Sequence, residues 1–389
     1  MERYQSAIKF IVLLGLVSLC GDIVYEGARS VTGPFFAVLG ASATIVGIVA
    51  GLGEFLGYAL RLLSGYFADR SKQYWVFTFL GYGVLLTIPL LALAGNWQIA
   101  ALLLILERMG KGIRSPARDT LLSHATAKVG RGFGFGLHEA LDQVGAIVGP
   151  LAISAVLYFT HSYRLGFALL AVPVFFTLFF LTLARTKYPT PTLFESTAPD
   201  AKITQEKLSA TFWLYLLFTF FSVAGFVNFQ LISYHFELQS VIPSAQIPVF
   251  YALAMGVDAI VALIIGKLYD RIGLKCLFIV PFLTIFLPFF AFSHRHAVAF
   301  FSVIFWGAIM GIHETIMRAA TSDLTPLTRR ATAYGIFNTA YGLAWFVGSS
   351  LIGLLYGLSI KFIIGFVLVT EGVSLFFLWQ LIKKGEMHA

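Results

Sequence analysis

The stretch GYFADR at residues 65–70 recurs as GKLYDR at residues 266–271, roughly half the chain later. A longer pair keeps nearly the same spacing: RGFGFGLHEALDQVGAIVGP starts at residue 131 and RATAYGIFNTAYGLAWFVGS at residue 330. Gly136 and Gly149 of the first copy align with Gly335 and Gly348 of the second. Self-similarity at one fixed spacing indicates two copies of one structural unit.

The chain around these copies is too apolar for a soluble domain. Of its 389 residues, 58% are hydrophobic and 12% are charged, whereas a soluble protein is about half apolar and about a quarter charged. A helix needs about 20 mainly apolar residues to span the hydrocarbon of a membrane. Twelve such spans are predicted, at 7–32, 41–68, 74–95, 98–122, 132–159, 164–184, 210–237, 246–269, 275–293, 298–322, 331–357 and 361–382.

One polar connection, RTKYPTPTLFESTAPDAKITQEKLS at residues 185–209, divides these spans six and six. We therefore predict an N-terminal six-helix bundle over 1–184, a cytoplasmic linker over 185–209 and a C-terminal six-helix bundle over 210–389. Lys and Arg concentrate in the connections on the same side as the N-terminus, so the positive-inside rule predicts that both termini are cytoplasmic. Because topology accounts for most of the net charge of +8, no nucleic-acid partner is expected.

Charged side chains form stripes within the first six spans. At 100° per residue, Glu107, Lys111, Arg114 and Arg118 share one helix face. Each charge at mid-bilayer costs ~2.5–3.5 kcal/mol even on the lenient insertion scale. We therefore expect the stripes to face one another or a water-filled cavity. The predicted proton-coupling and central-cavity residues are Asp22, Glu26, Arg29, Glu54, Arg61, Glu107, Arg108, Lys111, Arg114, His138 and Asp142.

Two alternatives stay open for these acids. Asp22, Glu26 and Glu54 could carry protons, or they could form permanent salt bridges, which would hold them ionised. His138 and Asp142, four residues apart, could relay protons or form a satisfied polar pair in a helix interface.

The last six spans contain fewer charges and many aromatic side chains. We expect this half to offer cargo an apolar surface and rings for stacking, with Arg318 contacting cargo or a lipid headgroup. The substrate-binding candidates are Phe226, Phe229, Tyr251, Trp306, Arg318, Phe337, Tyr341 and Trp345.

Four motifs, in register with the spans and the linker, resemble those of the major facilitator superfamily over essentially the whole chain. They are Gly65-x-x-x-Asp69-Arg70, its copy Gly266-x-Leu268-x-Asp270-Arg271-x-Gly273, Arg108-x-x-x-Gly112 and Gly145-x-x-x-Gly149-Pro150. The first copy departs from the family pattern, with Lys72 in place of the usual Gly and Gln73 in place of the usual Arg.

The resemblance implies an all-α membrane protein with twelve transmembrane helices in two pseudo-symmetric six-helix bundles. It also implies alternating access by rocking of the two halves. The predicted gating and close-packing residues are Gly65, Asp69, Arg70, Arg118, Asp119, Gly145, Gly149, Pro150, Gly266, Asp270 and Arg271.

A narrower resemblance, to a bacterial twelve-helix efflux subgroup, rests on Asp22-Ile-Val-Tyr-Glu26, on Glu54 with Arg61, on the charged fourth span and on Phe135-Gly-Leu-His138-x-x-x-Asp142. It implies export. We expect a monomeric secondary transporter of the cell (inner) membrane that exports a small amphipathic organic molecule by proton antiport.

Two other functions remain as alternatives. One is a divalent metal-ion exporter using Asp22, Glu26, Glu54, His138 and Asp142, because carboxylates and imidazoles suit such ions. The other is a transporter-like receptor or lipid-handling protein. No resident metal and no cofactor are expected. Enzyme activity and nucleotide-driven transport are not predicted, because the sequence has neither a recognisable nucleophile motif nor a phosphate-binding loop of the G-x-x-x-x-G-K-[ST] type.

Overall fold

The computed structural model describes residues 2–190, 208–326 and 329–386, and the side chains at 2–3, 127–128, 131–132, 318, 330–331 and 385–386 lie outside the description. Within these ranges the chain is helical and contains no β-strand. The helices are α1 Glu2–Val38, α2 Ala43–Ser71, α3 Tyr74–Gly83, α4 Thr87–Leu90, α5 Trp97–Val129, α6 Arg131–Thr160, α7 Tyr163–Leu169, α8 Ala171–Lys187, α9 Ala210–Gly225, α10 Phe229–Leu238, α11 Ile247–Ile272, α12 Ile279–Ala291, α13 His296–Asp323, α14 Arg330–Leu358 and α15 Ile360–Glu386.

The described helices are long and apolar enough to form a multi-pass membrane protein. Ten helical stretches meet the length and composition needed to cross a membrane, and one of them, Ser244–Ala291, is 48 residues long. That stretch contains the predicted eighth span and all but the last two residues of the predicted ninth span. The predicted fourth span lies in α5, which is 33 residues long and carries the charged stripe. The prediction of an all-α membrane fold is confirmed, and the helices are consistent with twelve crossings.

The seventh predicted span, 210–237, corresponds to the apolar stretch Ala210–Leu238, which is divided into two helices. The first, α9, ends at Gly225, and α10 begins at Phe229. Asn228 has extended backbone angles, and its Oδ1 accepts a hydrogen bond from the backbone N–H of Leu231 at 2.7 Å. A short polar side chain in this position caps a new helix and competes with continuation of the preceding one.

Polar caps and one glycine fix other boundaries. Asn96 begins α5, where its Oδ1 accepts from the Ile99 N–H at 2.9 Å, and Ser209 begins α9, where its Oγ accepts from the Phe212 N–H at 3.1 Å. Between α5 and α6, Gly130 has φ of 100°. Only glycine adopts such a backbone without steric cost, so the chain can turn directly from one long helix into the next.

The chain forms two compact units. The first unit contains Met1–Thr32, Leu56–Pro199 and Ala245–Ala252, and the second contains Gly33–Phe55, Asp200–Ser244 and Leu253–Ala389. Division of the chain at a linker over 185–209 stays a prediction, because 191–207 lie outside the described residues.

In the first unit, glycines bring helix backbones into contact. A Cβ atom at Gly149 would overlap the carbonyl oxygen of Ile23, so α6 and α1 touch there without side chains between them. A Cβ atom at Gly112 would likewise overlap the carbonyl oxygen of Gly57, which joins α5 to α2. Small residues permit this close approach in membrane helices.

The second unit repeats both contacts. A Cβ atom at Gly348 would overlap the carbonyl oxygen of Ala224, and one at Gly311 would overlap the carbonyl oxygen of Asp258. Gly348 and Gly311 each follow their first-unit counterparts, Gly149 and Gly112, by the same number of residues. The sequence repeat therefore corresponds to a repeat of helix packing.

Candidate functional site

The first ion pair of the charged stripe is fully enclosed. Arg114 Nη2 lies 3.6 Å from Glu107 Oε1, and the two side chains are 3% and 2% exposed. The Arg114 guanidinium also lies 4.8 Å from the ring centre of Tyr82, and its Nη1 donates to the Gly81 carbonyl at 3.4 Å. Several contacts thus hold this buried pair in place, and the predicted coupling roles of Glu107 and Arg114 stay predictions.

Three further cations surround one tyrosine ring. The centre of the buried Tyr25 ring lies 3.8 Å from Lys111 Nζ, 4.3 Å from the Arg108 guanidinium carbon and 5.9 Å from that of Arg29. An aromatic face attracts cations, and the attraction is stronger where water is excluded. Tyr25 was not among the candidate residues; its position between Asp22 and Glu26 was the only available signal.

Glu26 joins this group to a residue from much later in the chain. The hydroxyl of Tyr251 donates to Glu26 Oε2 at 2.5 Å, and Arg29 Nη1 lies 3.9 Å from the same oxygen. Lys111 interacts electrostatically with both Asp22 and Glu26. The structure therefore places Tyr251, a substrate-binding candidate, with the acid–base residues of the first unit.

A second polar network lies on α1, α3, α5 and α6. Ser18 Oγ is 3.0 Å from His138 Nε2 and 3.1 Å from the Tyr82 hydroxyl, and it accepts from Arg118 Nη1 at 3.0 Å. Sequence reasoning missed Ser18 and Tyr82, because hydroxyl side chains are common in membrane helices and carry no charge.

Asp142 faces this network with one oxygen. Its Oδ2 lies 3.5 Å from His138 Nδ1 and 3.9 Å from Arg118 Nη1, while its Oδ1 has no hydrogen-bond partner among the described residues. Arg118 is held more closely by Asp119, with Nε and Nη2 donating to Asp119 Oδ1 at 3.0 and 2.9 Å. Asp119 therefore pairs with Arg118 more closely than Asp142 does.

The two predicted charges on α2, Arg61 and Glu54, lie in different units. The guanidinium of Arg61, in the first unit, lies 4.6 Å from the ring centre of Tyr58. Glu54, in the second unit, is half-buried.

The two loop motifs end at exposed side chains. Asp69, Arg70, Asp270 and Arg271 are all exposed. Asp69 Oδ1 accepts from the Tyr74 hydroxyl at 3.0 Å, and Arg70 Nη1 donates to the Tyr66 hydroxyl at 3.3 Å.

The glycines of the motifs have different surroundings. Gly65 lies against the ring of Pro116, whereas no atom would meet a Cβ at Gly266. On α6, Gly145, Gly149 and Pro150 are buried, and a Cβ at Gly145 would overlap the carbonyl oxygen of Leu19. The gating roles of all these residues stay predictions.

Six aromatic substrate-binding candidates come together in the second unit. The Phe226 ring stacks on Trp306 with centroids 5.7 Å apart and meets the edge of Trp345 at 5.5 Å. Phe229 contacts Trp306 at 5.4 Å, and Phe337 contacts Tyr341 at 5.7 Å. All six are buried, namely Phe226, Phe229, Trp306, Phe337, Tyr341 and Trp345. The side chain of Arg318 lies outside the described residues.

This aromatic cluster surrounds the break between α9 and α10. Trp306 Nε1 donates to the Val227 carbonyl at 3.1 Å, so the cluster supplies a partner for unwound backbone. His313 lies edge-on to Phe226 at 5.2 Å, is buried, and has no hydrogen-bond partner at either ring nitrogen. Unwound backbone at membrane depth occurs where protein or a water-filled cavity surrounds it, and in transporters such breaks accompany binding sites.

No described group of three or more His, Cys, Asp or Glu side chains is placed to hold a metal ion. The donor set proposed for a metal exporter is instead divided. His138 and Asp142 lie in the Ser18 network, whereas Glu26 pairs with Arg29 and Tyr251.

These features define a polytopic membrane transport protein: apolar helices, glycine contacts that recur in each unit, buried charges and a broken helix. The family model described as Major Facilitator Superfamily matches residues 18–382. The chain belongs to the Major Facilitator Superfamily, which confirms the resemblance seen in the sequence.

One relative is similar to this chain in sequence, and two solved structures are similar to it in fold. The chain is 42% identical over 377 residues to the uncharacterized protein Rv2265 of Mycobacterium tuberculosis, covering 95% of this chain and 92% of that protein. The crystal structure of the nucleoside transporter NupG matches with a TM-score of 0.70 at 14% identity, covering 96% of this chain and 98% of NupG. That of the peptide transporter POT in complex with sulfate matches with a TM-score of 0.69 at 15% identity, covering 97% of this chain and 94% of POT. Because these two structures carry different cargoes on one fold, fold similarity does not name the cargo.

Proposed function

We propose that this protein is a proton-coupled antiporter that exports a small amphipathic organic molecule across the cell (inner) membrane by alternating access. Both termini would be cytoplasmic, and the monomer would be the functional unit. Membership of the superfamily supports transport itself; the coupling ion, the cargo class and the direction are the added steps.

The environment of Asp142 is the observation that carries the proposal. Its Oδ1 is buried without a hydrogen-bond partner, and its Oδ2 shares Arg118 with Asp119. A proton on Asp142 would weaken only the longer of the two contacts that Arg118 makes with carboxylates. Protonation of Asp142 can therefore weaken the contact between α6 and α5 at small electrostatic cost. A proton shifts a conformational equilibrium only if it binds the two conformations with different affinities.

The second unit supports the cargo class. Its aromatic cluster offers ring faces and edges, and His313 adds one buried polar group with no partner. Ligand sites are mainly apolar with a few placed polar groups. A small molecule with an apolar ring and a polar substituent matches this combination. Metal export has less support, because Arg29, Arg108 and Lys111 around Tyr25 would repel a divalent cation close to Glu26.

The test is a transport assay with purified protein in liposomes containing a pH-sensitive dye. Ring-containing organic cations, organic anions, and zinc or manganese ions are added in turn, with protein-free liposomes as the control. We expect one organic class to cause proton movement in the direction opposite to its own. Cargo uptake without proton movement would refute the coupling, and a response to metal ions alone would refute the cargo class. Liposomes with a known protein orientation, loaded on one side, test whether cargo leaves from the cytoplasmic face.

A further inference from the structure

The break in the seventh span leaves a helix end inside the apolar part of the chain. α9 ends at Gly225, and Phe226 N–H donates to the Val223 carbonyl at 3.2 Å. The last carbonyls of a helix have no partner within the helix, and together they carry partial negative charge. A negatively polarised end is therefore enclosed among the helices of the second unit.

A buried carboxyl group on α15 lies directly against this helix end. Glu371 is fully buried, and a Cβ atom on Gly225 would lie only 2.6 Å from its Oε1. Its Oε2 accepts from Ser374 Oγ at 3.3 Å, whereas its Oε1 has no hydrogen-bond partner within the part of the chain that the structure describes. Among the described side chains, no basic group forms an ion pair with Glu371. A carboxyl group and a negatively polarised helix end thus meet here, and no described basic side chain is paired with them.

The other groups at this point are oxygen atoms. Thr370 Oγ1 would lie 2.5 Å from the same Cβ atom, and it donates to the Phe366 and Val367 carbonyls at 3.1 Å, which leaves its lone pairs free to accept. Ser222 Oγ, on α9, also interacts with the Glu371 carboxyl. It is buried, and none of its contacts with described residues has hydrogen-bond geometry. Hard cations select ligand sets made only of oxygen.

We propose that Glu371, Thr370 and Ser222, with the carbonyl end of α9, bind a monovalent cation of sodium size. One carboxylate supplies one negative charge, so a single positive charge neutralises it, whereas a divalent ion would leave an excess in an apolar surrounding. Discontinuous helices bind cations at their carbonyl ends in other transporters. This site is separate from Asp142, and the inference goes beyond proton-coupled export without depending on it.

The test measures the thermal unfolding midpoint of the purified full-length protein in detergent. Sodium chloride is titrated against choline chloride at constant pH and ionic strength, and potassium chloride is run in parallel. A ligand that binds only the folded state raises stability with the logarithm of its concentration. We expect a rise of roughly 2 °C at ten times the dissociation constant, continuing with the logarithm of the sodium concentration, which choline does not produce.

Two variants and one control locate the response. Glu371→Gln keeps the shape and the contact with Ser374, and it should abolish the sodium response. Ser222→Ala should raise the dissociation constant for sodium, fitted from the titration, roughly tenfold, which corresponds to one lost ligand. The control is Glu237→Gln, which removes a carboxylate of the second unit whose Oε1 accepts from Ser244 instead; its sodium response should equal that of the wild type.

Equal unfolding midpoints of the wild type in sodium and in choline would overturn the proposal, as would a full sodium response in Glu371→Gln. Stabilisation by acid in place of sodium, lost in Glu371→Gln, would assign a proton to this carboxyl and would also overturn it. None of these outcomes depends on cargo or proton flux, so a failed transport assay leaves this result unaffected.

Discussion

Removal of Glu107 alone should destabilise the protein far more than removal of the pair it forms with Arg114. Glu107→Gln keeps the volume of the side chain and deletes the charge. Both partners are at most 3% exposed, so the pair belongs with buried ion pairs, for which loss of one partner costs about 3–5 kcal/mol. An exposed pair would cost about 0–1 kcal/mol.

The other contacts of Arg114 determine how much stability Glu107→Gln loses within the range of about 3–5 kcal/mol. Its guanidinium keeps the Tyr82 ring at 4.8 Å and the Gly81 carbonyl at 3.4 Å after the substitution. A stranded cation with a ring and a carbonyl beside it is partly compensated, so we expect about 3 kcal/mol for Glu107→Gln. The double variant Glu107→Gln/Arg114→Met removes the stranded charge, and it should recover about 2 kcal/mol of this loss.

The assay is reversible unfolding in mixed micelles of a neutral detergent and dodecyl sulfate, with all four members of the double-mutant cycle measured together. Asp69→Asn, at an exposed carboxylate, is the matched control and should change the free energy of unfolding by no more than about 0.5 kcal/mol. The reasoning fails if Glu107→Gln behaves like this control, or if the double variant is less stable than both single variants.

Three other substitutions test separate contacts. Gly149→Ala places a methyl group on the carbonyl of Ile23 and should cost about 1–3 kcal/mol through overpacking; an unchanged unfolding midpoint would show that α1 and α6 are not in backbone contact. Tyr251→Phe removes the donor to Glu26 and should cost about 1.5–3 kcal/mol, as for hydrogen bonds to charged groups; stability equal to the wild type in unfolding titrations would count against that bond. Trp306→Phe keeps a ring beside Phe226 but leaves the carbonyl of Val227 without its donor, so the unfolding free energy should fall by about 1–3 kcal/mol, and a neutral result would indicate that water replaces the indole N–H.

The fold could be predicted from the sequence because hydropathy and glycine spacing carry its physical causes. Apolar runs of the length of a bilayer must be helices, since lipid offers no partner for backbone groups. The paired glycines Gly149 and Gly348 predicted a repeat, and the structure shows the same backbone contact at both.

The break in the seventh span could not be predicted in the same way. Residues 225–228 read Gly-Phe-Val-Asn, which contains no proline and is mainly apolar. The break depends on contacts made by residues distant in sequence, such as Trp306 with the Val227 carbonyl. A glycine followed three residues later by a helix-capping asparagine was the only local signal.

The composition of the candidate site was predicted only for its charged members. Burial of a charge in a membrane is costly enough to make Asp142 and Arg118 conspicuous. Ser18 is not conspicuous, because a serine hydroxyl in a helix can bond to a carbonyl of the preceding turn. Tyr82 is not conspicuous either, because an aromatic ring in an apolar span is expected from packing alone. Helical periodicity also places residues only on a face of one helix, so it could not bring Tyr251 to Glu26.

Proton release on cargo binding tests the central claim most directly, namely that Asp142 exchanges a proton when cargo binds. Purified protein in weakly buffered detergent solution is mixed with the cargo found in the liposome screen, and the pH change is recorded for the wild type, Asp142→Asn and Asp323→Asn. Asp323 is an exposed carboxylate that accepts from Tyr269 at 2.7 Å, so its variant is the control. Our account predicts release of protons by the wild type and the control, and none by Asp142→Asn although it still binds cargo. Equal proton release by Asp142→Asn would contradict it.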